Sequence, residues 1–534
     1  MDSRVTRVAI STLVLTAMAG LLSSSPSALA APVSQPSLAP GVGTSLHASW
    51  LRLLTRSKDL GPSHSKTVSV LAQLRGPERP RSLEQWAAGM HLRVQWASGQ
   101  AWAVLSGPPR QLSEALGVRI DDYRSPAGRH FYGAQAVPRV PAPLVSEIAS
   151  FGGISSYLKM KPFDVPSGGL TPTTVMRAYD AAPLAALNLL GQGSTVALFE
   201  LGGFSQRDLN HYTSHFGLPE LSIGAIGPHM GSVDGETELD IEAVHDIAPD
   251  AHIVVVNFNV QTAAQMVGLF HTVANSLPGA IWSFSLGQCE TETGFSPTDF
   301  SSIDAALLDA EARGTTVFAS SGDAGGLDCT PYQAFGNNPR AGFVGVNMPA
   351  SFPPVTAVGG TSLSTTKNGS YVAESSWTEP LLSQGTGGGI SQIWNPPCWQ
   401  VGPGTGDFYG STPGRQVPDV AAVADPSTGL WVYSQGSAGQ IGGTSLAAPV
   451  WAGFAVLIDQ YLHTEGKPPL GEANPYLYRL ASRSQHYPPF HDVKTGGNAV
   501  YPATTGYDMA TGLGSPNVWN LARDLVPMAG SQVC

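Results

Sequence analysis

The sequence is poor in charged residues and in long apolar runs. Charged residues make up 13% of its 534 residues, against about a quarter in average soluble proteins. Beyond the N-terminus, the best candidate for a membrane span is the 13-residue run Leu446–Ile458, whereas a spanning helix needs roughly 20 residues. The net charge of −11 argues against nucleic acid as a partner. Because 42% of the residues are hydrophobic, disorder is excluded, and we expect a soluble globular chain.

Cysteine is scarce as well. The four cysteines are Cys289, Cys329, Cys398 and Cys534, and none of them lies in a C-x-x-C pair. A zinc site is therefore not expected. In an exported protein an even number of cysteines favours disulfides, and four cysteines allow three pairings.

The N-terminus predicts export. Arg4 and Arg7 form a positive segment, Val8–Leu22 an apolar one, and Ala28-Leu29-Ala30 an A-x-A cleavage site. This is the pattern of a secretory signal peptide, since a membrane anchor needs a longer apolar run. We therefore predict a signal peptide over residues 1–30 and a secreted protein that has no membrane contact once the peptide is removed.

Charge divides the rest of the chain into two parts. Residues 31–169 contain 15 Lys+Arg and 8 Asp+Glu, whereas residues 170–534 contain 11 Lys+Arg and 30 Asp+Glu. Between them lies Pro162–Gly169, which includes Pro166-Ser167-Gly168 and is typical of a linker. We expect one domain on each side.

The two parts differ in their hydrophobic pattern. The first alternates β-like runs with helical ones and predicts a small α/β sandwich. The second has near-continuous apolar strands separated by helix-length segments, which predicts a parallel sheet covered on both faces. The β-like runs are Thr67–Leu71, Leu92–Trp96 and Trp102–Leu105 in the first part and Thr195–Phe199, Ile253–Val256 and Thr315–Ala319 in the second, and the helical runs of the first part are Ser82–Met90 and Pro109–Leu116.

A serine follows a glycine turn directly before the apolar run. In Gly442-Gly443-Thr444-Ser445 the serine is predicted to start a buried helix, where backbone N–H groups and the positive helix end favour developing negative charge. Such a serine could be a nucleophile, and a nucleophile needs a base. Alternatively, Thr444 or Ser445 only caps the helix.

Carboxylates are the available bases. The sequence has no H-G-T segment and no G-x-S-x-G elbow, but the segment Gly235–Asp246 is rich in acid. Its Glu236 and Asp240 stand four residues apart on one helix face, and two such carboxylates can share a proton, which separates their titrations. The pairs Glu238/Glu242 and Glu242/Asp246 have the same spacing, so three pairs stay open, as does a solvated acidic face.

Asp323 is a further candidate. It stands in Ser320-Ser321-Gly322-Asp323, directly after the buried run Thr315–Ala319. Residues at the carboxyl ends of parallel strands line the ligand crevice of such sheets, which would place Asp323 there. An ordinary Asp-Gly turn is the alternative.

Together these segments resemble one family, the kumamolisin-like sedolisins or serine-carboxyl peptidases. The matching segments stand in the family's order and are Glu200–Gly203, Glu236–Asp240, Ser320–Asp323, Gly387–Ser391, Val417–Val420, Gly443–Ser445 and Ala510–Pro516. The region before them resembles the family's propeptide in Leu116–Val118, Tyr123-Arg124 and Gly128–Gly133. The resemblance implies an α/β fold, with a subtilisin-like parallel-sheet peptidase domain over residues 170–534 and a ferredoxin-like α+β propeptide domain over residues 31–169.

By position, the resemblance implies Ser445 as nucleophile, Glu236 as general base, Asp240 as its carboxylate partner and Asp323 as oxyanion stabiliser. These residues suit an acidic medium. Below about pH 5 a histidine of pKa ~6.5 is protonated, whereas a glutamate near ~4.3 still accepts a proton. A carboxyl group that donates to an oxyanion must be protonated, and acid provides that proton.

The resemblance also implies one structural Ca²⁺ near the C-terminus. The matching ligands are the side chains of Asp492 and Asp508 and the carbonyls of Val493, Thr504 and Gly506. An all-oxygen set suits this hard cation. Thr504 stands where the family often has Gly, but a carbonyl ligand depends little on the side chain. Two unrelated surface aspartates are the alternative.

Two positions depart from the family pattern. Leu286 stands where some relatives have a Trp that hydrogen-bonds the glutamate at position 200. Leu cannot donate a hydrogen bond, so it stays undecided whether a hydrogen-bonded chain of carboxyl groups extends through Glu200. Ala324, beside Asp323, stands where Ser is common.

The resemblance also suggests how the cysteines pair. In a subtilisin-like sheet the strand ends before Cys289 and Cys329 should be neighbours, so we predict the disulfides Cys289–Cys329 and Cys398–Cys534.

The sequence therefore predicts a secreted, monomeric, acid-active endopeptidase that is made as a zymogen, cleaves polypeptides and is inhibited by its own propeptide. The opposite charges of the two parts further predict that acid releases the propeptide, because carboxylates lose their charge as the pH falls through about 4. Two other functions stay open, an inactive relative that binds peptides or cell-wall material and a His-dependent serine hydrolase.

Overall fold

The computed structural model describes residues 50–530, apart from 52, 98, 126–127, 158–168, 229–231, 330–343, 380–383, 403 and 406–412. The predicted signal peptide, nearly all of the predicted linker and Cys534 lie outside the described residues.

The three predicted strands of the first part, β2, β3 and β4, pair with a fourth strand, β7, in an antiparallel sheet of order β3-β4-β2-β7. Two helices follow the first and third of these strands along the chain, which is the ferredoxin-like arrangement. The strands are β1 (Lys58–Pro62), β2 (Val68–Leu74), β3 (Arg93–Gln95), β4 (Trp102–Gly107), β5 (Ile120–Arg124), β6 (His130–Ala134) and β7 (Ile148–Phe151), and the helices are α1 (Arg81–Gly89) and α2 (Pro109–Leu116), with a 3-10 turn at Ala142–Leu144. The ferredoxin-like prediction is confirmed.

A second sheet of this part was not predicted. Strands β5 and β6 form a hairpin between α2 and β7, and β1 pairs with β5 to give a separate three-stranded sheet. The aromatic residues Tyr123 and Phe131 of this sheet stack at 5.5 Å between ring centroids and pack with Trp50 and Leu54 in a small apolar cluster.

The second part is built on an eight-stranded sheet in the order β16-β15-β13-β11-β8-β10-β9, with β21 also paired to β15. All pairs are parallel except β15–β16. The strands of this part are β8 (Thr195–Glu200), β9 (Ile223–Ile226), β10 (His252–Asn257), β11 (Ile281–Phe284), β12 (Gln288–Cys289), β13 (Thr316–Ser320), β14 (Asn347–Met348), β15 (Thr356–Thr365), β16 (Tyr371–Ser376), β17 (Thr378–Glu379), β18 (Gln384–Gly385), β19 (Gly389–Ile390), β20 (Gln416–Val417), β21 (Val420–Val423), β22 (Leu430–Ser434), β23 (Ser437–Ile441), β24 (Phe490–His491) and β25 (Ser515–Pro516).

Helices cover both faces of this sheet. Alternate residues of β8 show the division, because Val196 and Leu198 belong to one apolar cluster and Ala197 and Phe199 to another. The helices are α3 (Pro172–Ala178), α4 (Ala182–Ala186), α5 (Gln206–Phe216), α6 (Glu236–Ile247), α7 (Ala263–Ser276), α8 (Pro297–Glu311), α9 (Thr444–Thr464), α10 (Asn474–Ala481) and α11 (Val518–Leu525), with a 3-10 turn at Glu290–Glu292. Helices α6 and α9 lie on the first face, and α7 and α8 on the second. The predicted parallel sheet between two helical layers is confirmed.

Helix α9 contains the predicted apolar run. Among the described residues it is the one helix long and apolar enough to cross a membrane by length and composition, but 83% of its most apolar window is buried inside the protein. It is therefore packed as the core helix of a globular domain is.

The two parts of the chain touch through the ferredoxin-like sheet. Leu71 of β2 and Val104 of β4 belong to the same apolar cluster as α7 and α8. Two polar contacts add to this packing, between the hydroxyls of Ser150 and Thr298 at 2.7 Å and from Gly153 to Asp299. The sheet thus has its own helices on one face and the helices of the second part on the other.

The predicted disulfide between Cys289 and Cys329 is confirmed. The two Cα atoms are 4.8 Å apart. Cys398 is disulfide-bonded as well, while its predicted partner Cys534 lies beyond the described residues.

Candidate active site

Ser445 is the second residue of the 21-residue helix α9. The preceding Gly443 has φ 94°, a conformation that disfavours any residue with a Cβ atom, and it turns the chain from β23 into the helix. Ser445 is fully buried in the first helical turn, where backbone N–H groups lack helical partners. The N-cap is Gly443 and makes no side-chain cap, so neither Thr444 nor Ser445 serves as the cap.

The acidic segment forms α6, and all 12 of its residues are buried. A solvated acidic face is therefore excluded. Three of its carboxylates accept hydrogen bonds from other elements. The donors are Ser205, which directly precedes α5, Tyr433 in β22 and Tyr212 in α5. Glu238 accepts from the N–H of Ser205 at 2.8 Å, Glu242 from the N–H of Tyr433 at 3.0 Å, and Asp246 from the hydroxyl of Tyr212 at 2.6 Å.

Asp240 is the carboxylate of α6 that the structure links to the serine. The hydroxyl of Ser285, directly after β11, lies 2.6 Å from Asp240 Oδ2 and 2.9 Å from the carbonyl oxygen of Ser445. The hydroxyl of Ser445 donates to the carbonyl of Ser285 at 3.3 Å. Glu236 lies one turn before Asp240 and is likewise buried. Of the three pairs left open by spacing, Glu236/Asp240 is the one that contains the carboxylate linked to Ser445 through Ser285.

Glu200, at the end of β8, interacts with the carboxyl group of Asp240. Burial raises the pKa of Glu200 well above its usual range, and the charges of Asp240 and Glu236 raise it further. Burial also raises the pKa of Asp240, whereas hydrogen bonds from Ser285 and Glu200 lower it. Glu200 and Asp240 thus interact without a donor at Leu286.

Asp323 lies just beyond the end of β13 and is half-buried. Its Oδ1 accepts from the backbone N–H of Thr444 at 2.8 Å and from the Thr444 hydroxyl at 2.7 Å. The Thr444 hydroxyl also accepts from the N–H of Gly322 at 3.1 Å. The carboxyl group of Asp323 is thus fixed by the residue next to Ser445, as expected for a side chain at the carboxyl end of a parallel strand.

Sequence reasoning missed Ser285 as part of this site. Its position directly after a buried strand, in Ser283-Phe284-Ser285, is the same signal that identified Asp323. The direct contact between Glu200 and Asp240 was also missed, because residue 286 was taken as the required link.

The histidine of α6 is not linked to Ser445 by the hydrogen bonds described above. His245 lies on α6, but its Nε2 is 2.9 Å from the carbonyl of Pro219, and burial lowers its pKa to about 4. This histidine packs against the loop after α5.

The residues of the predicted calcium site lie around one turn. Asp492 accepts from the N–H of Gly506 at 3.1 Å and 3.2 Å, and Asp508 Oδ2 accepts from the N–H of Thr504 at 2.9 Å. Lys494 lies 3.2 Å from Asp492, and burial raises the pKa of Asp508 to about 6. No group of three or more His, Cys, Asp or Glu side chains that could hold a metal occurs in the described part of the chain. A cation here would therefore need the backbone carbonyls as well, and two carboxylates beside such carbonyls fit the oxygen chemistry of Ca²⁺.

The chain is similar to known peptidases. The profile of the subtilase family (Peptidase_S8) matches residues 225–469, which include α6, Asp323 and Ser445. The chain is 34% identical to kumamolisin from Bacillus sp. (strain MN-32) over 477 residues, which cover 82% of this chain and 80% of kumamolisin. The chain belongs to the sedolisin family.

Further comparisons agree with this membership. The chain is 31% identical to sedolisin from Pseudomonas sp. (strain 101) over 436 residues, covering 74% of this chain and 70% of sedolisin. The solved structure of Pseudomonas sedolisin, a serine-carboxyl proteinase complexed with two molecules of pseudo-iodotyrostatin, matches with a TM-score of 0.56 and 28% identity over 68% of this chain and 99% of that chain. The protein is thus a kumamolisin-like sedolisin and a serine-type peptidase with a subtilisin-like fold.

Proposed function

We propose that this sedolisin is a secreted, acid-active endopeptidase in which Ser445 attacks the peptide bond. The observation that supports this most is the convergence of two separate carboxyl groups on one serine. Asp240 reaches it through Ser285, and Asp323 reaches it through Thr444. In this proposal Glu236 is the general base, Asp240 its partner and Asp323 the oxyanion stabiliser.

Acylation needs one proton transfer to the base. The Ser445 oxygen bonds to the scissile carbonyl carbon while its proton moves to Glu236. The carbonyl oxygen becomes an oxyanion and accepts a hydrogen bond from protonated Asp323. When the tetrahedral intermediate collapses, the C–N bond breaks and the leaving amine takes the proton from Glu236.

Deacylation repeats these steps with water. Water adds to the acyl carbon as its proton moves to Glu236, and Asp323 again stabilises the oxyanion. The ester bond to Ser445 then breaks, and Ser445 regains its proton from Glu236.

Acid activity follows from the two roles of carboxyl groups in this scheme. Asp323 must be protonated to donate, whereas the pair of Glu236 and Asp240 must keep a negative charge to accept a proton. The interaction with Glu200 supports this charge, because it lowers the pKa of Asp240. The rate should therefore rise and fall over an acidic pH range.

The ferredoxin-like domain acts as propeptide and inhibitor in this proposal, and the enzyme is a secreted monomer. Its sheet packs against α7 and α8 of the peptidase domain. At the other end of the linker, Leu170 is tied to β22, since its N–H donates to Gly429 O at 2.6 Å and its carbonyl accepts from Trp431 N at 2.9 Å. Cleavage in the linker would leave the two domains held together by these non-covalent contacts alone.

We also propose one structural Ca²⁺, with Asp492 and Asp508 as carboxylate ligands and Val493, Thr504 and Gly506 as carbonyl ligands. Both aspartates already reach the same turn. The cation would neutralise the two carboxylates and stabilise the C-terminal loops.

A digestion experiment tests the function. The purified enzyme is incubated with a denatured protein from about pH 2 to pH 8, and the cut sites are mapped by mass spectrometry. We expect internal cuts at acidic pH and no turnover by Ser445→Ala. Activity that is lost below about pH 6 would instead indicate a histidine base, and a folded enzyme without cuts at any pH would indicate an inactive relative.

A further inference from the structure

The carbonyl of Ser445 lacks the partner that a helix normally provides. In an α-helix this oxygen accepts from the N–H four residues later, and that residue is Pro449, inside α9. Proline has no N–H. The hydroxyl of Ser285 takes its place at 2.9 Å from the Ser445 carbonyl.

The same hydroxyl faces a second acceptor. Asp240 Oδ2 lies 2.6 Å from Ser285 Oγ, but a serine hydroxyl has only one hydrogen to donate. The acceptors therefore compete for it. An ionised Asp240 attracts the hydrogen, since bonds to charged acceptors are the stronger ones. A protonated Asp240 can donate to Ser285 Oγ instead, which leaves the Ser285 hydrogen for the Ser445 carbonyl.

We propose that Ser285 is a positioning residue of the peptidase, whose single hydroxyl hydrogen couples the charge of Asp240 to the backbone of the nucleophile. The inference rests on the proposed function of Ser445 and Asp240. Ser285 also accepts the Ser445 hydroxyl at its own carbonyl, so the hydroxyl and the carbonyl of Ser445 both contact this one residue. When Asp240 is neutral, the first turn of α9 is fixed. When Asp240 is charged, that bond is released.

The other groups that face Asp240 carry the same sign. Glu200 faces it from β8, Glu236 lies on its own helix, and Asp234 acts from the loop before α6. Ser285 is fully buried and lowers the pKa of Asp240 by donating to it. Removing its hydroxyl should therefore raise the pKa of Asp240 and move the acid limb of the activity profile to higher pH.

Ser283 provides a matched control. It lies two residues earlier, in β11, and is equally buried, but its hydroxyl has no hydrogen-bond partner among the described residues. Ser283→Ala and Ser285→Ala remove the same atom from neighbouring buried positions. A role limited to packing predicts the same effect for both.

The experiment measures kcat/KM against pH, and the melting temperature, for wild type and five variants. Four are the single substitutions Ser283→Ala, Ser285→Ala, Ser285→Cys and Pro449→Ala, and the fifth combines Pro449→Ala with Ser285→Ala. We expect Ser283→Ala to match wild type within about twofold. Ser285→Ala should lose about 10- to 100-fold, the range for a hydrogen bond to a charged group, with its acid limb at higher pH. Pro449→Ala restores an N–H for the Ser445 carbonyl. That N–H serves the Ser445 carbonyl and not Asp240, so in this background Ser285→Ala should keep its displaced acid limb.

Each result decides the inference. A Ser285→Ala profile like that of Ser283→Ala would overturn it while leaving the proposed function intact, and so would a rate loss without a displaced limb. If Ser285→Ala does not fold, Ser285→Cys decides, because a thiol is a weak donor and its limb must lie above that of wild type. Wild-type protein that cuts no substrate would overturn both the proposed function and this inference.

Discussion

Asp299 Oδ2 accepts a hydrogen bond from the N–H of Gly153 at 2.6 Å, across the contact between the ferredoxin-like domain and the peptidase domain. The same oxygen accepts from the N–H and the hydroxyl of Ser296, each at 2.8 Å, and completes the capping box of α8. One carboxyl group thus caps a helix of the peptidase domain and binds the backbone of the ferredoxin-like domain, the proposed propeptide.

This contact leaves no room for a side chain at Gly152. A Cβ atom there would lie 2.1 Å from Asp299 Oδ1, so Gly152→Ala should weaken the contact and make the zymogen convert to the mature form faster or at higher pH. Gly89→Ala is the control, because a Cβ at Gly89 meets nothing within 4 Å. Gel analysis of conversion against pH checks this, and equal conversion of the two variants would show that the contact does not hold the propeptide.

The choice of carboxylate pair predicts unequal effects within α6. Glu236→Gln and Asp240→Asn should each lose several orders of magnitude in kcat, as residues that act together do, whereas Ser445→Ala should abolish turnover without loss of the fold. Glu238 is held by the N–H of Ser205 instead, so Glu238→Gln should stay within about tenfold of wild type, since the amide oxygen of Gln can still accept that hydrogen bond. If Glu238→Gln and Glu236→Gln were equally damaged in steady-state kinetics, the choice of pair would be wrong.

Calcium removal should destabilise the mature enzyme, since a ligand that binds only the native state stabilises it by mass action. Excess chelator near neutral pH should lower the melting temperature of wild type. Asp508→Asn, which loses a carboxylate ligand, should melt lower from the start and respond little to chelator. A wild-type melting temperature that chelator leaves unchanged would contradict the site.

Buried acids on α8 predict a stability that falls with rising pH. Burial raises the pKa of Asp304 and Glu311 well above the usual range, and the charge of Glu472 raises both further. The native state holds these protons more tightly than the unfolded state does. The free energy of unfolding is therefore highest below the pKa values of the unfolded state, about 4. It falls as the pH rises above them, by up to about 1.4 kcal/mol per pH unit for each group. Asp304→Asn with Glu311→Gln should therefore raise the melting temperature near pH 7 and have little effect near pH 3. An increase of equal size at both pH values would show that these charges do not matter.

The opposite charges of the two domains predict release of the propeptide by acid. Near neutral pH, 15 basic residues in 31–169 face a peptidase domain with 30 acidic ones, and the attraction fades as carboxylates are protonated. The test uses full-length Ser445→Ala protein, cut in the linker by an added protease, with release followed by size-exclusion chromatography. We expect release at low pH, and at neutral pH only in high salt. Release that responds to neither acid nor salt would show that the attachment does not depend on the opposite charges.

The strands and the position of Ser445 were predictable because their signals are local. Near-continuous apolar runs marked β8, β10 and β13, and a glycine turn before an apolar run marked the start of α9. The disulfide Cys289–Cys329 followed once a subtilisin-like sheet was assumed. Spacing could not choose between Glu236/Asp240 and its neighbours, because every i, i+4 pair on one helix looks alike until the partners of each face are known. The partners of Glu238 and Glu242, Ser205 and Tyr433, come from distant parts of the chain.

The complete burial of α6 has a consequence for how the enzyme is inactivated. Its 12 residues are enclosed on all sides, and backbone amides in such an element exchange their hydrogens with solvent mainly when the whole domain opens. The proposed general base therefore stands on the part of the fold that should exchange last, rather than on a loop that frays early. Deuterium uptake in this helix and the loss of activity on heating should then follow the same cooperative transition.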